Sequence, residues 1–214
     1  MSEFSISRIV PSTRALFDAL STRRKSLALI PRIESNTSDE VRRHARRLDN
    51  IDVRAFARSG ADTATQDLAR STSSIPTLCT NEATSAEDCQ RARFFGADGI
   101  VIRTESSSDW QALSKTAQSM RMMAVGVVSS DETAALLLDR GARAILLRAS
   151  SSAELLHLAD ATKGAALLIA HLVPDGLGDE EDLRALLGKV DAALVPETLH
   201  AGSGFEDLQD KLDG

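Results

Sequence analysis

Six side chains stand where this chain could do chemistry: Arg32, Glu34, Arg103, Arg148, His171 and Glu197, each at or beside the C-terminal end of a short apolar run. Guanidinium groups offer a planar fork of donors that suits a carboxylate or a phosphate, so Arg148 and His171 together can clasp an anion. An imidazole oriented by a carboxylate is a general base, which pairs His171 with Glu197. Asn81, Glu82, Glu105 and His200 occupy similar strand-end positions. The alternative is that these charges pair with one another and with water and carry no reaction. Both readings stay open on the residues alone.

Other conspicuous residues read as structural. Cys79 has no activating base near it in sequence, so a buried, inert thiol is expected. Trp110 lies at helical spacing from Leu113 and reads as a packing residue. The run Arg42-Arg43-His44-Ala45-Arg46-Arg47 reads as a solvated helix face, with a docking patch for an acidic partner as the second possibility.

The elements that must position the strand-end groups follow from alternation. Apolar runs recur at Leu27–Ile33, Ile75–Thr80, Gly99–Arg103, Met122–Val128, Ala144–Leu147, Ala165–Leu172 and Ala192–Val195. They are too short for helices and lack clean period-two alternation, as parallel strands buried on both faces do. Between them lie helical patterns opened by Ser85, Ser130 and Ser152 with acids just after, and closed by Gly96, Gly141 and Gly164. Serine satisfies free N–H groups at a helix start, and glycine takes the left-handed conformation at its end. RSGAD at 58–62, FFGAD at 94–98 and DRGAR at 139–143 read as one repeated joint that ends a helix. Seven strands are evident. An eighth is placed in the polar stretch 61–66, completing a (β/α)8 barrel in one domain over residues 1–214. Gly60 to Ile75 must then hold strand, loop and helix where a helix alone takes ~11 residues, so the second βα unit is shortened and the barrel pinched or partly open there. Val10–Leu20 reads as an extra helix before the first strand.

Composition narrows the function classes. The 214 residues carry 25 Lys and Arg against 31 Asp and Glu, a net charge of −6, with 3% aromatics and no tyrosine. That balance argues against nucleic-acid binding by charge or by base stacking. Two cysteines are too few for a disulfide scaffold, no apolar run approaches the ~20 residues of a membrane helix, and the N-terminus lacks a secretory apolar stretch. A cytoplasmic location is expected.

With the elements in place, the sequence resembles the indole-3-glycerol-phosphate synthase family, the (β/α)8 lyases of tryptophan biosynthesis, from about Ser12 to Leu212. The resemblance is carried by RALFDALSTRRKSLALIPRIESNTS at 14–38, PTLCTNEATSAEDCQRARFFGADGIVI at 76–102, DETAALLLDRGARAILLR at 131–148 and DAALVPETL at 191–199. It implies the barrel and a mouth at the strand C-termini. Its chemistry, ring closure with decarboxylation and dehydration, needs lysines and glutamates that this chain lacks. The family's Ala-Glu-Ile-Lys aligns with Ala28-Leu29-Ile30-Pro31, its third-strand lysine with Thr80 and its fifth-strand glutamate with Gly126. Its sixth-strand asparagine aligns with Arg148, and its Glu-Ser-Gly with His171-Leu172-Val173. Phosphate recognition is altered as well: Val173 and Pro196 replace glycines, and Glu34-Ser35-Asn36 replaces a Ser-Pro-Ser turn. Proline donates no N–H, and Glu34 and Glu197 add negative charge, so no specific phosphate is expected between the turns after strands seven and eight. The resemblance therefore implies a barrel that has lost the lyase reaction and acts as a non-catalytic binding or partner subunit. The alternative is a divergent enzyme using the Arg, His and Glu cluster on a different anionic molecule. No cofactor or metal is expected. A protein partner or a second copy and a small anionic ligand are the expected partners, with no nucleic acid and no membrane.

Overall fold

Each apolar run becomes a strand because it is covered twice, by a packed lumen inside and by helices outside. The computed structural model describes residues 4–21, 27–35, 37–49, 51, 53–72, 74–103, 106–172, 180–200, 205, 207, 208 and 212. A 3-10 turn (Ile6–Arg8) and helix α1 (Leu16–Ser21) precede the alternating units. These run β1 (Ala28–Pro31), α2 (Ser38–Asp49), β2 (Phe56–Arg58), α3 (Thr63–Ser71), β3 (Thr77–Ala83), α4 (Ala86–Phe94), β4 (Gly99–Ile102) and α5 (Ser107–Ser119). They continue with β5 (Met123–Val128), α6 (Asp131–Asp139), β6 (Ala144–Ala149), α7 (Ser152–Thr162), β7 (Leu167–Leu172), α8 (Glu180–Ala185), β8 (Ala192–Val195) and α9 (Glu197–His200).

All neighbouring strands are parallel, in the order β1-β8-β7-β6-β5-β4-β3-β2. The two ends of the sheet meet through a bridge between Arg32 and Ala57, where Ile33 N–H donates to the Ala57 carbonyl at 2.9 Å. The result is a nearly closed (β/α)8 barrel of the TIM type. At the seam the buried Arg58 guanidinium donates to the Ile33 carbonyl at 3.0 Å and the Ser35 carbonyl at 2.7 Å.

Two apolar layers result. Ala28, Ile30, Val101, Val125, Leu146 and Ile169 fill the lumen, with Leu16 and Leu20 of α1 closing it from the N-terminal end. Leu29, Ile33, Ile100, Ile145 and Leu168 face outward among helix residues such as Trp110 and Leu137. Gly99 makes room for α1, because a Cβ there would run into Leu16 Cδ2. Gly96, Gly141 and Gly164 have φ of 98°, 74° and 78°, the left-handed caps expected of them. Ser85 and Ser130 are N-caps, while the cap of α7 is Ser151 rather than Ser152.

The structure corrects the sequence reading at three places. The second strand is Phe56–Arg58, and 63–71 is helix, so the strand expected at 61–66 lies upstream. The RSGAD motif therefore follows a strand, with Asp62 as the N-cap of α3 accepting from Thr65 N–H at 3.0 Å. The extra helix is Leu16–Ser21, shorter than Val10–Leu20: Ser12 is held by its N–H to the Met120 carbonyl and by its hydroxyl to Asp98, outside any helix. The second unit is short, with three strand residues and nine helical ones.

Candidate functional site

The period of two in a strand decides which side chains reach the mouth. Ala28 and Ile30 face the lumen, so the next inward residue at the end of β1 is Arg32. The same parity leads from Val101 to Arg103, from Leu146 to Arg148 and from Ile169 to His171. Leu29 packs in the outer layer, and a Cβ at Gly126 would meet Leu137 and Trp110 there. Leu29 and Gly126 thus face the helices, and the inward neighbours are Ile30, Val125 and Val127.

Arg148 and His171 are register partners on β6 and β7. Arg32 Nη1 lies 3.4 Å from His171 Nε2, and Arg32 Nη2 pairs with Glu34 Oε1 at 2.6 Å. Glu34 Oε2 also accepts from the Ser59 hydroxyl at 3.2 Å. Across the mouth, Glu82 bridges two arginines: Oε1 accepts from Arg148 Nη1, and Oε2 lies 3.5 Å from Arg103 Nη1. Glu82 reaches there from a stretch of β3 whose register against β4 shifts between Cys79 and Ala83. Burial, and then the charges of Arg32 and Arg148, push the His171 imidazole down to about 4. It is neutral at neutral pH.

Glu197 sits elsewhere. Its carboxylate accepts from the Glu34 N–H and the Ser35 hydroxyl, both at 2.8 Å, and lies 2.6 Å from His44 Nδ1, off the hydrogen-bond direction. Burial raises its pKa, but the Ser35 and Glu34 donors and the His44 charge outweigh that and hold it below the usual carboxylate range. His200, fully buried, contacts the Arg32 carbonyl through Nε2 at 2.8 Å. The structure therefore gathers Arg32, Glu34, Arg103, Arg148 and His171 with Glu82, and places Glu197 with Ser35 and His44 instead of with His171. Glu82 was visible in sequence only as one more strand-end acid; the bulge that aims it leaves no residue signature. Glu105, Asn36 and Val173 lie outside the described residues.

The remaining candidates take structural places. Burial pushes the Cys79 thiol up to about 11 and the Cys89 thiol up to about 12, so neither is a nucleophile at neutral pH. Trp110 is buried in the outer layer. On α2, Arg42, Arg43, Arg46 and Arg47 are exposed; Arg42 pairs with Asp67 at 3.0 Å and Arg47 donates to the His200 carbonyl. A cavity of about 740 Å³ lies at the opposite end of the barrel, lined by Phe17, Leu20, Arg143 and Asp191 among others. Arg143 stacks over Phe17 there at 4.5 Å. It is remote from the strand C-termini, where barrel enzymes keep their chemistry.

Among the described residues no group of three or more His, Cys, Asp and Glu side chains is placed to hold a metal ion, and no helix is long and apolar enough to cross a membrane. Comparison with known protein families and with curated proteins gives no match to this chain.

Proposed function

We infer that this chain is a barrel of the indole-3-glycerol-phosphate synthase type that no longer performs the lyase reaction and serves as a binding or partner subunit. One observation carries the reading: the acid–base side chains gathered at the mouth are engaged with arginines. Arginine stays protonated, Glu34 and Glu82 are engaged in ion pairs, and His171 is held neutral with a pKa near 4. A general acid or base works best with a pKa near the operating pH. Support also comes from Glu197, whose carboxylate takes the Glu34 N–H and Ser35 hydroxyl at the turn after β1, the kind of donors an anionic substrate would use.

The test is incubation of the purified protein with the family's carboxyphenylamino-deoxyribulose phosphate substrate, following indole fluorescence. No turnover above background is expected. Turnover that disappears in His171→Ala overturns the reading and favours the divergent enzyme.

A further inference from the structure

The mouth holds more buried donors than acceptors to receive them. Arginine can only donate, so the His171 Nε2 that faces Arg32 Nη1 is the acceptor, and the proton of the neutral ring sits on Nδ1. That Nδ1–H is buried without a partner, as are the Nε–H groups of Arg32 and Arg148. His171 itself is only 8% exposed. A buried donor without an acceptor is costly, so three on neighbouring residues mark a place for one. Charge points the same way. Among the described residues three guanidiniums, of Arg32, Arg103 and Arg148, share two ion-paired carboxylates, Glu34 and Glu82.

We propose that the mouth binds a small monocarboxylate, whose oxygens accept from the unpartnered N–H groups of Arg32, Arg148 and His171. The proposal rests on the reading of this mouth as a binding surface. A carboxylate brings one negative charge and a planar pair of oxygens with about four lone-pair sites, enough for three donors. A phosphate brings up to two charges beside Glu34 and Glu82, which repel the second. The adjoining strand ends carry Val127 and Pro196, so the part of the ligand that meets them is apolar.

Titration of the 15N-labelled full-length protein with sodium propionate at neutral pH tests this, with the ring nitrogens of His171 as the readout. Inorganic phosphate is titrated in parallel, and sodium chloride controls ionic strength. A saturable shift of His171 Nδ1 in millimolar propionate is expected, with phosphate weaker. Arg32→Met and Arg148→Met, checked for fold by circular dichroism, each weaken propionate by about tenfold. Should these variants fail to fold, His171→Gln, which keeps an acceptor and an N–H, is followed by calorimetry and retains affinity within about threefold, whereas His171→Leu loses it. A drift matched by chloride overturns the site, as does unchanged affinity in both arginine variants; tighter phosphate overturns the carboxylate assignment. Lyase turnover with propionate binding intact defeats only the non-catalytic reading, and no turnover with no propionate binding defeats only this one.

Discussion

His171 links the charge of the mouth to the stability of the fold. Its ordinary pKa of 6.5 falls to about 4 in the native barrel, through burial first and the two arginines second. Above about pH 6.5 the ring is neutral folded or unfolded and contributes nothing to the pH dependence. As pH falls toward about 4 the unfolded chain binds a proton that the native state refuses, so stability is lost across that window. A displacement of that size corresponds to about 3 kcal/mol. Urea unfolding at steps through the window should show that loss in the parent protein and a shallower one in His171→Leu. The slope is not abolished there, because burial also pushes His200 down. The carboxylates held below their usual range, such as Asp67 and Glu197, lose their contribution at lower pH and do not mimic the effect. An identical slope in the variant would refute the assignment. The six candidate residues could be named from sequence because strand-end position and residue type suffice for that. Their partners could not, since Arg148–Glu82 joins residues 66 apart through two long side chains and a bulge.

Helix ends and strand starts were the legible elements, and the N-terminal segment shows why one class of joint matters. Asp98, 1% exposed, follows the Gly96-Ala97 cap and gathers four donors. Arg14 Nη2 lies 2.6 Å from Oδ2, Arg93 Nη1 lies 2.9 Å from Oδ1, the Ser12 hydroxyl donates at 2.6 Å and the Thr77 N–H at 2.9 Å. Arg14 also donates to the carbonyls of Ala69, Thr72, Ile75 and Gly96. The carboxylate and Arg14 together thus fasten the N-terminal segment to α3, α4, β3 and β4. Asp98→Asn leaves two largely buried guanidiniums without their charge partner, a loss of about 3–5 kcal/mol in urea unfolding. A loss under about 1 kcal/mol would mean that the carbonyl bonds of Arg14 suffice without the carboxylate. The FFGAD spelling announced this joint, since a helix that ends in glycine before a strand needs little else. The second strand escaped the same reasoning for a physical reason. Phe56-Ala57-Arg58 is three residues long and ends in an arginine that is 3% exposed, and a buried arginine looks from sequence like a surface residue.

At the scale of the whole barrel, closure depends on that arginine. Seven of the eight strand junctions are backbone ladders, whereas β1 and β2 meet at the Arg32–Ala57 bridge. Beyond the bridge the β1 edge offers carbonyls with no strand opposite, and an unpaired buried carbonyl costs as much as a lost hydrogen bond. Arg58 supplies the donors from a side chain, through Nη1 to Ile33 and Ser35, while its Nη2 lies 3.3 Å from Asp62 Oδ2. The two partners are unequal. Asp62 is about half exposed, so its ion pair is screened, and its removal costs chiefly the α3 cap, about 1 kcal/mol. Arg58→Met keeps much of the apolar stem but strips both carbonyls of their donor, a loss of about 3 kcal/mol at roughly 1.5 kcal/mol for each charge-assisted bond. Urea unfolding of Arg58→Met and Asp62→Ala side by side checks the ranking, and amide exchange locates it. Exchange at the Ile33 N–H, which crosses the seam to the Ala57 carbonyl, should accelerate in Arg58→Met beyond the global loss of stability, while the Val125 amide in the middle of the sheet follows the global value. Equal losses in the two variants, or exchange at Ile33 no faster than at Val125, would place closure in backbone packing and leave Arg58 an ordinary buried ion. Because Ile33 separates Arg32 from Glu34, an opened seam also displaces two mouth residues, so Arg58→Met should weaken propionate binding without touching the ligand.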